Sequence, residues 1–278
     1  MKNNVCVYVV TQSLLYMNMA LVSIVLLRKY NFNIPVKVFL VQDGGILKTT
    51  NNQLKYDDCL QFQGEAHLKH INQCFLKVLS DLNVQVIVKY PYDNNFVHFN
   101  RCYIQELLEP NLFFIDSDTF FFGDVAEIFE KYKEYNFVAT SAPWISDSTS
   151  FNEISASCFG GIKDPPSSCL LMFNNYWGQK WSNNLYKNVQ ELVNDTRVHE
   201  WIALQKLAFW DIKEEIALMP FLRDNELKRT FFDFSDCCQV DSSHATIRPA
   251  LTKIIHTFSY RWHDFYERLF GKKDLPLM

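Results

Sequence analysis

The 278-residue sequence has no tract or stripe of basic residues, and its formal charge is −4. That argues against nucleic acid as the main partner. Contacts to phosphate must then come from a few placed Arg or Lys. No CxxC pair occurs, although the chain carries 8 Cys. Several of them sit inside apolar runs such as Val5 to Val10. There they read as small core residues of a protein kept reduced, so a cytoplasmic location is expected. Internal repeats, low-complexity tracts and a clear linker are also missing. One apolar stretch, Val5 to Leu27, is long enough to be weighed as an anchor or signal. Thr11, Gln12, Ser13 and Asn18 interrupt it, and no small-residue cleavage site follows. It divides more naturally into a strand, a polar turn and a helix, so no stable membrane insertion is expected. Asn194-Asp195-Thr196 matches a glycosylation sequon, which matters only in a secretory lumen.

What the chain has in quantity is core material. Hydrophobic residues make up 48%, with 24 Phe. This suffices for one large or two closely packed α/β domains. The first half alternates strand-like and helix-like segments, as a parallel sheet with covering helices does. Strands are expected at Val5 to Val10, Val36 to Val41 and Val84 to Val88. Helices are expected at Tyr16 to Tyr30, His67 to Leu82 and Phe96 to Leu108, the last stopped by Pro110. Gln42-Asp43-Gly44-Gly45 signals a turn, and Thr49 to Gly64 is polar and irregular. Asp124 is placed to cap a helix running to Tyr132, with a strand at Phe137 to Ser141. Beyond that, Ser141 to Ser168 reads as loops and Cys169 to Phe173 as a buried strand. Tyr176 to Val193, His199 to Trp210 and Trp262 to Phe270 read as helices, and Phe231 to Thr246 as a loop. The expected division is a nucleotide-binding half, 1–125, fused to an acceptor-binding half, 126–278.

The most informative stretch is Leu112 to Asp124, LFFIDSDTFFFGD. Two carboxylates interrupt an apolar run, where an uncompensated charge costs several kcal/mol. In an extended segment, residues two apart point the same way. Asp116 and Asp118 can therefore face one site, and they repel unless a cation lies between them. Oxygen ligation suits Mg²⁺ or Mn²⁺ bridging to substrate phosphates. The alternative is an ordinary turn between strands, capped by one aspartate.

At these residues the chain resembles the GT-A glycosyltransferases, in the group of glycogenin and the bacterial lipopolysaccharide galactosyltransferases. VYVVTQSLLYMNMAL resembles that family's first strand and helix, and HFNRCYIQELLEPNLFFIDSDTFFFGDVAEIF its DxD region. PSSCLLMFNN resembles the strand usually written NSGVxLxN, with Ser168 and Cys169 where the family prefers Ser and Gly. IIHTFSYRW resembles the family's IIHxxGxxKPW. The chain is similar too to small soluble sugar transferases encoded by large algal viruses, one of which transfers xylose. In that case the location would be the host cytoplasm.

The resemblance implies a Rossmann-like, mostly parallel sheet flanked by helices, and transfer of xylose or a hexose from a UDP-sugar to a glycan acceptor. Asp116, Ser117 and Asp118 would face the donor. Asp116, Asp118 and His256 would hold Mn²⁺ or Mg²⁺, the imidazole favouring Mn²⁺. Thr11 and Tyr16 would hold the uridine, and Arg101 and Arg261 would grip phosphate oxygens bidentately. Trp144, Ser168 and Trp201 would face the acceptor, with Trp177 and Trp181 as further apolar platforms. Each has a plainer alternative. Arg101 could ion-pair with Glu106 or Asp118, Tyr16 and the tryptophans could be core, and His256 could be a core histidine.

Retaining members of the family start a helix with DQxxLN. The best counterpart here is Glu200-Trp201-Ile202-Ala203-Leu204-Gln205. An indole has no amide oxygen to offer. Inversion is therefore expected, with Glu200 as the base that takes the acceptor proton, or else Glu200 is a helix-start carboxylate. Two other classes stay open besides a retaining transferase. A haloacid-dehalogenase-type phosphatase wants Thr or Val where this chain has Phe120, and an early DxD. A non-catalytic sugar-binding protein would have no need of Asp116, Asp118, His256 and Arg101 together.

Overall fold

The structure, a computed structural model, describes residues 4–42, 64–92, 97–142, 151–204, 209–240, 252–257 and 259–271. Its frame is a seven-stranded sheet in the order β3-β2-β1-β4-β7-β6-β8. These strands are β1 (Asn4–Thr11), β2 (Val36–Val41), β3 (Gln85–Lys89), β4 (Asn111–Ile115), β6 (Phe137–Ser141), β7 (Pro166–Phe173) and β8 (Arg229–Phe231). β1 lies parallel to both β2 and β4, and β2 parallel to β3. β7 runs antiparallel to β4 and β6, and β8 rejoins parallel to β6. Strands from both expected halves thus share one sheet.

The central strands are apolar on both faces because helices cover both. Val5 and Val7 of β1 enter one core cluster, and Cys6, Tyr8 and Val10 enter the other. In β4, Leu112 and Phe114 join the first, Phe113 and Ile115 the second. Such double burial removes the polar alternation of a one-sided sheet.

The helix α1 (Leu14–Tyr30) is buried in the same two-sided way. Ser13 caps it, its Oγ accepting from the Tyr16 amide at 3.3 Å. Leu14, Met17, Leu21 and Ile24 pack on the sheet. Leu15, Met19 and Val22 pack on Phe120, Trp262 and Tyr266. This is why Val5 to Leu27 looks like an anchor. Among the described residues, no helix is long and apolar enough to cross a membrane.

The remaining helices are α2 (Gly64–Asp81), α3 (Val125–Lys131), α4 (Phe151–Cys158), α5 (Trp177–Val193), α6 (Thr196–Leu204), α7 (Phe209–Arg223) and α8 (Ser259–Phe270). Asp124 caps α3 as expected, its Oδ1 accepting from the Ala126 amide at 2.7 Å. Four expectations need correction. Val97–Glu106 is a 3₁₀ helix, closed at its end by a Leu107 amide to Ile104 carbonyl bond. The stretch read as loops, Ser141 to Ser168, contains α4. The single helix expected from His199 to Trp210 is replaced by α6, which ends at Leu204, and α7, which begins at Phe209. The stretch read as a loop, Phe231 to Thr246, holds β9 (Cys237–Val240). It pairs in parallel with the strand Ile254–Thr257, so no hairpin signal marks it.

β9 belongs to a second sheet, β5-β10-β9, with β5 (Thr119–Phe121) and β10 (Ile254–Thr257). β10 lies antiparallel to β5, with His256 opposite Thr119, and parallel to β9. The small sheet therefore grows out of the stretch that follows the aspartate pair. The expected turn after Gln42 and the polar segment from Thr49 lie outside the described residues.

Candidate active site

After β1 the chain runs outward to β2 and β3, then returns to the other side of β1 as β4. Such a reversal opens a crevice at the carboxyl ends of the strands on either side. Thr11 ends β1 there, and Asp116 follows β4. The site is built where the two sheets meet at this edge.

Backbone pairing fixes the aspartates first. The Asp116 amide donates to the Cys169 carbonyl at 3.0 Å, which continues the β4–β7 ladder. The Asp118 carbonyl accepts from the Thr257 amide at 3.0 Å and from Thr257 Oγ1 at 2.9 Å. The last bond places β10, so His256 enters from a segment far along the chain. Its Nε2 lies 2.9 Å from Asp118 Oδ1 and 3.9 Å from Asp116 Oδ2. The His256 side chain is only 2% exposed, whereas the Asp116 side chain is 25% exposed and forms the open side.

Arg101 stands behind the pair, buried in the 3₁₀ helix. Its Nη2 donates to both Asp116 oxygens, at 3.2 and 3.1 Å. Its Nη1 donates to Ser168 Oγ at 2.9 Å. The guanidinium lies over the Phe114 ring, 4.8 Å from the centroid. Ser168 Oγ in turn donates to Glu215 Oε1 at 2.9 Å, and the Ser168 amide points at the same oxygen from 3.3 Å. A chain of contacts therefore runs Asp116–Arg101–Ser168–Glu215. Ser182 Oγ steadies the arginine by donating to its carbonyl at 2.8 Å.

These charges compensate one another. Burial works against a charged His256, but the Asp118 carboxylate outweighs it, with a smaller push from Cys169, and holds the imidazole well above its ordinary pKa. A positive imidazole beside two carboxylates occupies the electrostatic place of a cation. The donor atoms also fit one. An octahedral shell with bonds near 2.1 Å sets neighbouring ligands about 3 Å apart. The 2.9 Å between His256 Nε2 and Asp118 Oδ1 matches that spacing, while the 3.9 Å to Asp116 Oδ2 is wider. Oxygen and nitrogen donors of this kind can hold a divalent ion.

Three solved structures share this architecture. The galactosyltransferase LgtC, solved with donor and acceptor sugar analogues, matches 98% of this chain and 97% of its own, at TM-score 0.56 and 11% identity. The bifunctional glycosyltransferase WbbM matches 92% of this chain and 46% of its own, at TM-score 0.55 and 13% identity. GlyE of Streptococcus pneumoniae TIGR4 matches 91% of this chain and 54% of its own, at TM-score 0.50 and 17% identity. The chain has the GT-A fold. It spans about half the length of GlyE and of WbbM. No family model and no curated protein sequence matches it.

Within the GT-A frame, the structure gathers Arg101, Asp116, Asp118, Ser168 and His256 at one edge. Arg101 pairs with Asp116, rather than with the Glu106 or Asp118 weighed as alternatives; Glu106 instead meets Lys89. Ser117 is buried between the aspartates. Thr11 is buried at the end of β1, and Tyr16 is half-buried in the first turn of α1, packed against core side chains on two sides. Ser168 is fully buried and engaged by Arg101 and Glu215, so its hydroxyl faces inward.

Other expected residues fall elsewhere. Trp201 is 3% exposed and packs on Phe151, so its ring has no face open to a sugar. Trp181 is buried against Phe173. Glu200 is exposed on α6, which packs against α4 and α5. Trp144 and the Arg261 side chain lie outside the described residues. Glu215 escaped the sequence reading, because an acid in a helix is ordinarily a solvated one. Its signal was the run that follows it, Ile216 to Met219, which is wholly buried.

Proposed function

We propose that this chain transfers a sugar from a UDP-sugar to a hydroxyl of a glycan acceptor. The observation that carries the proposal is the position of His256 Nε2, 2.9 Å from Asp118 Oδ1 and 3.9 Å from Asp116 Oδ2, beside the switch-point crevice. Asp116, Asp118 and His256 would hold a divalent ion, Mn²⁺ or Mg²⁺, which neutralises charge developing on the diphosphate leaving group. Arg101 has two tasks. It fixes the Asp116 carboxylate, and its positive charge would favour a diphosphate bound beside the site. Glu215, through Ser168, keeps the guanidinium from turning. His256 gives up its proton when the ion is bound, since ligation requires the neutral imidazole.

Thr11 and Tyr16 are assigned to the uridine, because both stand beside the crevice at the end of β1 and the start of α1. Arg261, in the first turn of α8, is assigned to the diphosphate. Residues 1–125 would mainly serve the donor and 126–278 the acceptor, with Trp144 on the acceptor side. Inversion with Glu200 as base remains the assignment to test, and NMR coupling at the product's anomeric carbon reads it directly. The three GT-A neighbours favour sugar transfer over the phosphatase alternative.

The deciding experiment is calorimetry and thermal shift with UDP and a panel of UDP-sugars, including UDP-xylose and UDP-hexoses, with Mn²⁺ and with EDTA. A true donor raises the melting temperature by mass action and releases free UDP on turnover. UDP binding that is equally tight in EDTA would remove the cation from the reading. No nucleotide binding under any condition would leave a non-catalytic sugar-binding protein.

A further inference from the structure

One side chain beside this site has no part in the reading above. The β4–β7 register pairs Ile115 with Leu170. Cys169 therefore stands beside Asp116, and its carbonyl accepts the Asp116 amide. Here the thiol sulfur, one Asp116 carboxylate oxygen and one His256 ring nitrogen all lie within 4.8 Å of one another. The cysteine is buried, and Gln239 Nε2 approaches its sulfur at 3.8 Å from β9.

We infer that Cys169 is a ligand of the same cation site, and that the site selects thiophilic divalent ions such as Zn²⁺, Co²⁺ or Cd²⁺ over Mg²⁺. This rests on the cation reading of Asp116, Asp118 and His256. Thiolate sulfur favours soft or borderline ions and adds nothing for Mg²⁺, which demands oxygen. A tetrahedral shell with a sulfur bond near 2.3 Å and nitrogen and oxygen bonds near 2.1 Å sets ligands about 3.5 Å apart. The oxygen–nitrogen separations of 2.9 and 3.9 Å bracket that value. The sulfur lies within 4.8 Å of both other ligand atoms. Without an ion, burial pushes the thiol up to about 11, with the charged His256 pulling the other way. The thiol proton and the imidazolium proton pass to solvent as the sulfur–metal and nitrogen–metal contacts form.

The test is Co²⁺ titration of the metal-free full chain, followed by absorption and calorimetry, with Cys169→Ser and Cys169→Ala alongside. The wild type should develop a near-ultraviolet sulfur-to-cobalt charge-transfer band. Both variants should lose the band, and should bind Zn²⁺ and Cd²⁺ at least about tenfold more weakly. Their Mn²⁺ affinity should stay within about threefold, since oxygen and imidazole donors dominate there. Cys169→Ala keeps the test usable if a buried serine impairs folding. Co²⁺ binding without the band in wild type, or a band that survives in either folded variant, overturns the assignment of sulfur while leaving the cation site standing. No binding of Co²⁺ or Mn²⁺ to the wild type overturns both.

Discussion

Two buried arginines stand at different places in this fold and do different things. Arg28, near the end of α1, is 6% exposed, and Arg101 is 7% exposed. Every hydrogen bond described for the Arg28 side chain ends on a backbone carbonyl. Its acceptors are Leu82, Asn31, Phe32, Ile34 and Asn83, at 2.7 to 3.2 Å. It ties the ends of α1 and α2 to the start of β2. Arg101 instead meets a carboxylate that is partly open to solvent. A charge answered by fixed backbone dipoles serves the fold, because none of its partners can leave. A charge answered by exposed ionised side chains serves a site, because a substrate can compete for it.

The largest effect should come from the carboxylates that Arg101 and His256 compensate. Asp118→Ala is expected to abolish cation-dependent UDP binding and lower turnover by on the order of 10³-fold. Full turnover in this variant, measured by UDP release, would end the site reading.

Next come the arginines themselves. Arg28→Met leaves five carbonyls without their donor and should cost about 3–5 kcal/mol in urea unfolding, with UDP affinity of the folded protein unchanged. Arg101→Met should do the reverse. It should weaken UDP and UDP-sugar binding by about tenfold or more and change stability by less than ~2 kcal/mol, because Asp116 can be solvated. If the two variants behave alike, the contrast fails.

The third measurement concerns pH. The folded pKa of His256 is raised well above 6.5. Its proton therefore stabilises the metal-free protein fully below about 6.5, and that contribution is lost as pH rises through the folded value. The unfolding midpoint of metal-free protein should fall over this range, while Mn²⁺ affinity should rise over it. His256→Gln should flatten both profiles; unchanged profiles would place the titration elsewhere.

The smallest contrast lies between two glutamates. Glu215→Gln keeps an acceptor for Ser168 but removes the charge behind Arg101, and should lower turnover by roughly 10²-fold. Glu200→Gln should cost less than that. A greater loss at Glu200, with an inverted product, would establish it as the base.

The sequence made the site's own stretches legible where chemistry conflicts with patterning. Two aspartates inside LFFIDSDTFFF and a histidine after two isoleucines stand out because each breaks an apolar run. The first sheet was legible because β1 to β3 are consecutive and locally signalled. Glu215 was hidden because its meaning comes from Ser168, 47 residues earlier, and β9 because it pairs in parallel with β10, without a hairpin to mark it. Trp201 was open to two readings, a platform for a sugar or a core ring, and its packing on Phe151 in the buried interior matches the second.

The bond between Thr257 and Asp118 joins residues 139 apart in the chain. A ribosome releases Asp116, Asp118 and Arg101 long before it releases His256. Through that interval the nascent chain carries a carboxylate pair with neither its imidazole nor its second sheet. A product that stops short of β10 therefore lacks both the His256 imidazole and the strand that joins β5 to β9.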